Sequence, residues 1–430
     1  MVIISARTLR KLFKSRIILL LMLLSVISFL HLMLNGNFHI EVSKPTEPPK
    51  PKELRPISDF FEKDQPRFGD SRNRYLFPLY DIFDGGPNWA FSMFRVGAHL
   101  AMYQNRSVVT VPFRVHDRLQ ENVIFQLKTV EETIDVDELK KVMSVATVEE
   151  FYNACNDSLN DLERKIMEHI LNEDMENSKR FWGMFYALDE LRKTYPPKVV
   201  VNWEDPKEKH ELFLKETADQ RCLLISKSED IVPLITPYHD EIDNHIDKHF
   251  IWASYVRKMV DPIYDKICDG ERFAVVHWRN RTGENCIAGS NWAPNICKEK
   301  EQAEVKALIG LSNQIAHSIA DFVKSMNYKC IYISYPPFEQ DLVRRLDNLV
   351  PKIFSLRDVY RMSPEITSHK DDLYIISMVE QEISLRADFF IGWRVSSWSG
   401  IVARMRDAKE RPRKVLSLLP GMPKELAEFE

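Results

Sequence analysis

ADFFIGWRVSSWSGIVARMRD, residues 387–407, is the stretch that decides how this chain folds. Phe389, Phe390 and Ile391 form a short apolar run of the kind that fills a buried strand, and Gly392 breaks it. Two serines follow, and then an apolar pattern at helical spacing resumes. The sequence therefore predicts a strand–turn–helix unit with Ser396 and Ser397 at the helix N-terminus. Free backbone N–H groups and hydroxyls there can hold phosphate oxygens. A serine that merely caps the helix fits the same position equally well.

Working outward, FAVVHWRNRTGE at 273–284 reads as a second buried strand that ends at Val276 and turns polar at once. His277 and Arg279 emerge at its carboxyl end, where open α/β sheets bind ligands. At spacing i and i+2 they share one face if the strand continues. A guanidinium fork suits a diphosphate, above all while charge builds on it as it leaves; an arginine in a structural ion pair is the plainer alternative. Earlier, YDIFDGGPNWAFSMFR at 80–95 carries a tight loop, Asp84-Gly85-Gly86-Pro87, with Asn88 near the start of a helix. An ordinary turn with an Asn cap reads the same way.

The rest of the chain from about Tyr75 alternates short apolar runs with amphipathic stretches, which predicts parallel sheet covered by helices. Strands are expected at Val108–Val111, Leu223–Ile225, Cys330–Ile333, Ile353–Phe354 and Val415–Leu419. Helices are expected at about Trp89–Tyr103, Glu304–Met326 and Asp371–Leu385. In the second helix Leu308, Leu311, Ile315, Ile319, Phe322 and Met326 make one apolar stripe. A charged, loop-rich region around 204–255 marks the boundary between lobes.

The chain has 430 residues, enough for two lobes, and 44% hydrophobic content, enough for packed cores. A net charge of −4 provides no cationic field and argues against nucleic acid as a partner. Ile17 to Leu34 contains no acidic residue, Lys or Arg, and at 1.5 Å per residue would span roughly 27 Å. Arg7, Arg10, Lys11, Lys14 and Arg16 precede it, while the first positive charge after it is Lys44. This asymmetry predicts a cytosolic tail at 1–16, a transmembrane signal anchor at 17–34 and a luminal remainder. A cleaved signal peptide is the competing reading, but the apolar run is long and no small-residue cleavage site follows. Prolines 45, 48, 49, 51, 56 and 66 among charges make 35–72 an extended stem. Asn105, Asn156 and Asn280 head N-glycosylation sequons, consistent with a luminal address. The six cysteines form no CxxC pair and suggest disulfides rather than a metal site, with Cys286 and Cys297 the likeliest local loop.

The order of the three motifs resembles the GDP-fucose protein O-fucosyltransferase family, over about Tyr75 to Asp407. The early Asn88 followed by Gln104-Asn105-Arg106-Ser107 and Pro112, the His277-Trp278-Arg279 triplet, and the block from Glu380 to Trp398 ending in Arg406-Asp407 carry the resemblance. It implies two facing Rossmann-like lobes of the GT-B type, an acceptor lobe at 73–250 and a GDP-fucose lobe at 251–430. It also implies inversion at the sugar carbon with no metal or other cofactor. By the same resemblance His277 and Arg279 contact the donor diphosphate and sugar, Ser396 and Ser397 bind its phosphates, Trp398 packs beside them, and Asn88 reaches in from the other lobe. Where branches of the family have an Arg or a Glu in the early loop, this chain has Gly85-Gly86-Pro87. The base is thus left to Asp84, Glu284 or a water, with Arg279 assisting departure of GDP. Arg394 occupies a loop position that is usually small or neutral. The expected partners are GDP-fucose, a luminal or secreted protein acceptor and, through the anchor, the membrane of the Golgi or endoplasmic reticulum. A glycan-directed fucosyltransferase and an inactive member that binds nucleotide sugar or client are the alternatives.

Overall fold

The computed structural model describes residues 74–78, 87–116, 125–161, 163–164, 167, 217, 219–225, 239–279, 299–336, 341–394 and 396–429. The expected anchor at 17–34, the stem, the sequon at Asn280, Asp84, Glu284, Cys286 and Cys297 lie outside the described residues. Among the described residues no helix is long and apolar enough to cross a membrane.

Eleven strands are described: β1 (Tyr75–Pro78), β2 (Ser107–Val109), β3 (Phe113–His116), β4 (Phe125–Lys128), β5 (Val145–Ala146), β6 (Cys222–Ile225), β7 (Ala274–His277), β8 (Ile331–Ser334), β9 (Ile353–Ser355), β10 (Phe389–Gly392) and β11 (Arg413–Val415). The longer helices are α1 (Pro87–Tyr103), α2 (Val148–Cys155), α3 (His239–His249), α4 (Ser254–Tyr264), α5 (Glu299–Ser325), α6 (Leu373–Arg386) and α7 (Ser397–Asp407). A four-stranded sheet runs β5-β2-β1-β6 and a five-stranded sheet β11-β10-β7-β8-β9. Both are parallel throughout, and β3 and β4 form a separate antiparallel ribbon. The strands of the first sheet therefore come from residues 75–225 and those of the second from 274–415.

Period-two alternation divides the second sheet between two cores. Ala274, Val276, Ile331, Ile333, Phe389 and Ile391 pack under α5, with its Leu308, Ile315, Ile319 and Phe322. Val275, Tyr332 and Phe390 face the other way, into a cluster that includes Trp398, Ile401 and Val402 of α7 and extends to Leu76 and Phe94 beside the first sheet. His277 has the parity of Val275 and so faces the first sheet's side.

Helix ends follow local chemistry. Thr147 and Glu150 form a capping box at α2, and the Asp372 carboxylate accepts the first N–H groups of α6. Asn327 takes φ +57 just beyond α5, and the Tyr328 N–H reaches back to the Val323 carbonyl at 3.0 Å. Met326 therefore falls past the helix and is exposed, so the expected apolar stripe stops at Phe322. The last expected strand also shifts: β11 ends at Val415, and Leu416 to Leu418 form a 3₁₀ turn. Leu416 and Leu419 are both buried, a three-residue spacing that suits a helical turn and not a pleat.

Two disulfides tie the sheets to their surroundings. Cys155 at the end of α2 joins Cys222 of β6, closing 67 residues, and Cys268 joins Cys330 just before β8, closing 62. Loops of that size restrict the unfolded chain by about 4 kcal/mol each in the chain-entropy account.

Candidate functional site at the switch point of the second sheet

From β7 the chain steps outward through β8 to β9, then returns to the opposite side of β7 with β10 and β11. The connections leaving β7 and β10 thus diverge, and their carboxyl ends flank a topological switch point, the place where doubly wound sheets open a ligand crevice. His277 ends β7 and Gly392 ends β10. Gly392 is required by close approach, because a Cβ there would lie 2.7 Å from the Phe390 ring and 3.2 Å from Ser399 Cβ.

His277 is 6% exposed, and its Nδ1 lies 2.6 Å from Ser399 Oγ. The Trp393 N–H donates to the same hydroxyl at 2.9 Å. The hydroxyl thus ties the imidazole edge to the turn that follows β10. Burial, and secondarily the Arg279 charge, hold the imidazole pKa well below 6.5, so the ring is neutral. It stacks on Trp398 with centroids 4.1 Å apart and planes at 23°. The ring is therefore a fixed neutral group, not a charge.

Ser396 precedes α7 with extended backbone, but its side chain makes no capping hydrogen bond. The residue is 5% exposed, and Oγ has no hydrogen-bond partner among the described residues. The capping explanation for this serine is thereby removed. An unpaired buried hydroxyl costs about 1–3 kcal/mol. Ser397 is half-buried as the first residue of α7. Trp398 is held from behind, its Nε1–H donating to Ser377 Oγ of α6 at 3.0 Å.

Asn88 lies in the first turn of α1, among the elements of the first sheet, yet its Oδ1 accepts from Gln381 Nε2 of α6 at 2.9 Å. Gln381 also lies 3.5 Å from the Trp398 carbonyl. Ser92 Oγ donates to the Asn88 carbonyl at 2.9 Å, and Arg404 Nη2 of α7 donates to Ser92 Oγ at 3.1 Å. The structure thus brings Asn88, His277, Ser396, Ser397 and Trp398 around α6 and α7. Arg279, two residues beyond β7, is half-buried and close enough to His277 to perturb it.

Sequence reasoning missed three residues. Ser399 orients His277, and Gln381 joins Asn88 to Trp398. Glu380 accepts from Tyr332 Oη at 2.9 Å. Burial pushes its carboxyl up to about 7, against the opposing effect of hydrogen bonds from Tyr332 and Ser334. Ser334 pairs with His277 across β8 and β7, so this near-neutral carboxyl stands one strand from the imidazole. The available signal was the Glu380-Gln381-Glu382 triplet set between the apolar residues of the helical run IISMVEQEISL.

Two arginines of the sequence motifs have structural roles. Arg106 is 2% exposed and donates to the backbone carbonyls of Thr217 and Gln220 at 2.7 and 2.8 Å. Arg406, fully buried, donates to the carbonyls of Ser384, Ala387, Asp388 and Pro412 at 2.7–3.0 Å. Burial lowers both guanidinium pKa values to about 10. Of the sequon residues, Asn105 is half-buried with φ +53, and Asn156 is half-buried with a sequestered Oδ1.

No protein-family model and no curated protein matches the chain. Among solved structures, the chain is similar to POFUT1 in complex with GDP, at 16% identity and a TM-score of 0.47, covering 81% of this chain and 99% of that one. It is similar to POFUT1 in complex with GDP-fucose at 15% identity, TM-score 0.46 and the same coverages. A fucosyltransferase NodZ from Bradyrhizobium follows at 12% identity and TM-score 0.37, covering 77% of this chain and 93% of that one.

Proposed function

We propose that the chain is an inverting, metal-independent glycosyltransferase that moves fucose from GDP-fucose to Ser or Thr hydroxyls of luminal proteins. The observation that carries this reading is the buried Ser396 hydroxyl, without a hydrogen-bond partner among the described residues, at the N-terminus of α7 and two residues before the Trp398 that stacks on His277. The order of the His277-Trp278-Arg279 and Ser396-Ser397-Trp398 motifs supports the choice of donor. In this reading the two parallel sheets are the cores of facing Rossmann-like lobes. The second holds the nucleotide diphosphate at its switch point, and Asn88 closes the site from the first.

The acceptor oxygen attacks the sugar carbon from the face opposite GDP. The bond from that carbon to the β-phosphate oxygen breaks, and Arg279 with the α7 N-terminus takes up the departing charge. The acceptor proton passes to Asp84, Glu284 or water. Neutral His277 serves as a hydrogen-bond donor and not as the base, since its buried ring resists a proton. The anchor at 17–34 would place this chemistry in the Golgi or endoplasmic reticulum.

Full-length chain in detergent should bind GDP-fucose and release fucose or transfer it with EDTA present. Absence of GDP binding refutes the donor assignment, and loss of transfer in EDTA refutes metal independence. Binding without turnover selects the inactive alternative, while transfer to a free glycan selects the glycan-directed one. Protease digestion of a tag at residue 430 in intact microsomes would overturn the luminal orientation.

A further inference from the structure

Arg279 and Arg394 occupy equivalent places on adjacent parallel strands. β10 and β7 pair with Ile391 opposite Val276, and both end one step later, at Gly392 and His277. Each strand then continues through a tryptophan to an arginine. Trp278 and Trp393 are both buried in the core under α5 with ring centroids 5.1 Å apart, so the register holds through that step. One residue further, Arg394 comes level with Arg279. Arg279 follows the end of β7, and Arg394 lies in the turn that the Ser396 N–H closes on the Trp393 carbonyl at 3.4 Å. Neighbouring strands lie about 4.8 Å apart, so the connections that carry the two arginines leave the sheet edge side by side, one on each bank of the switch point.

Two like charges at that spacing repel, and the arrangement gains most when an anion of more than one charge lies between them. Arg394 is exposed in the turn, two residues before the buried and unpartnered Ser396 hydroxyl. We infer that Arg394 is a second guanidinium ligand of the donor diphosphate, clamping it with Arg279 across the β7–β10 switch point. This inference rests on the nucleotide-sugar reading above.

GDP titration of the full-length chain in detergent tests it on the wild type, Arg394→Ala and Arg394→Lys. Arg394→Ala should weaken GDP by roughly tenfold or more, with the unliganded melting temperature unchanged. It should also flatten the dependence of GDP affinity on salt, because one charge pair is gone. Arg394→Lys should recover part of the affinity and most of the salt slope. Wild-type affinity and slope in Arg394→Ala would overturn the clamp while leaving the donor assignment standing. An affinity loss matched by a lower melting temperature with an unchanged salt slope would mark Arg394 as structural and also overturn it. A wild type that does not bind GDP would sink the donor assignment, and the clamp with it.

Discussion

Gln381 and Asn88, 293 positions apart, share a 2.9 Å side-chain hydrogen bond that joins α6 of the second sheet's layer to α1 of the first. Gln381 is 1% exposed, so this bond forms away from bulk water. A residue from the beginning of the folded chain is thereby fixed beside the helix that backs the candidate donor site. Removing either partner strands a polar group, at a cost of about 1–3 kcal/mol. Gln381→Met and Asn88→Ala should each lower the urea unfolding free energy by about 1 kcal/mol, and the double variant by less than the sum. Strict additivity in that cycle would show that the two amides are not coupled.

Ser396→Ala separates a ligand-binding hydroxyl from a structural one. Because Oγ has no partner among the described residues, deleting it removes an unsatisfied buried group and should leave the melting temperature equal or higher. GDP affinity should fall by roughly tenfold, the value of one hydrogen bond to a charged acceptor. A clear drop in melting temperature with unchanged GDP affinity is the result that contradicts this assignment.

Arg279→Ala should reduce turnover by roughly 10²-fold or more, since a diphosphate ligand acts most strongly as the leaving group gains charge. Arg279→Lys should restore little, because an ammonium lacks the two-pronged donor geometry. Both variants should melt close to the wild type. A several-degree fall in melting temperature with normal activity per folded molecule would make Arg279 an ion-pair residue instead.

Glu380 should make stability depend on pH. Its folded pKa of about 7 is raised above the ordinary 4.5, so the folded state holds the proton more tightly than the unfolded chain does. The resulting stabilisation is fully present below about pH 4.5 and is lost as pH rises through 7. Glu380→Gln keeps an acceptor for Tyr332 but cannot ionise. Its melting temperature should therefore gain on the wild type by several degrees between pH 5 and pH 8. A difference that stays constant over that range would indicate an ordinary carboxylate.

The local elements and their order were legible in the residues alone. The apolar runs at 273–276 and 389–391 predicted β7 and β10 to within a residue or two, because a buried parallel strand needs a continuous apolar segment whatever packs on it. Spacing of three and four placed α5, α6 and α7 for a similar reason, and the alternation of strand and helix implied parallel sheets. The tertiary structure alone decided which distant side chains meet. Cys155 with Cys222 and Cys268 with Cys330 are bridges between positions more than sixty residues apart that no local spacing suggested, while the expected Cys286–Cys297 loop lies outside the described residues. Ser396 could be a cap or a ligand on sequence grounds, and only the folded structure shows that its side chain makes no capping hydrogen bond. His277 stays neutral and Glu380 holds its proton near pH 7 because residues far along the chain exclude water from them. Desolvation is a property of the assembled core, and no window of local sequence contains it.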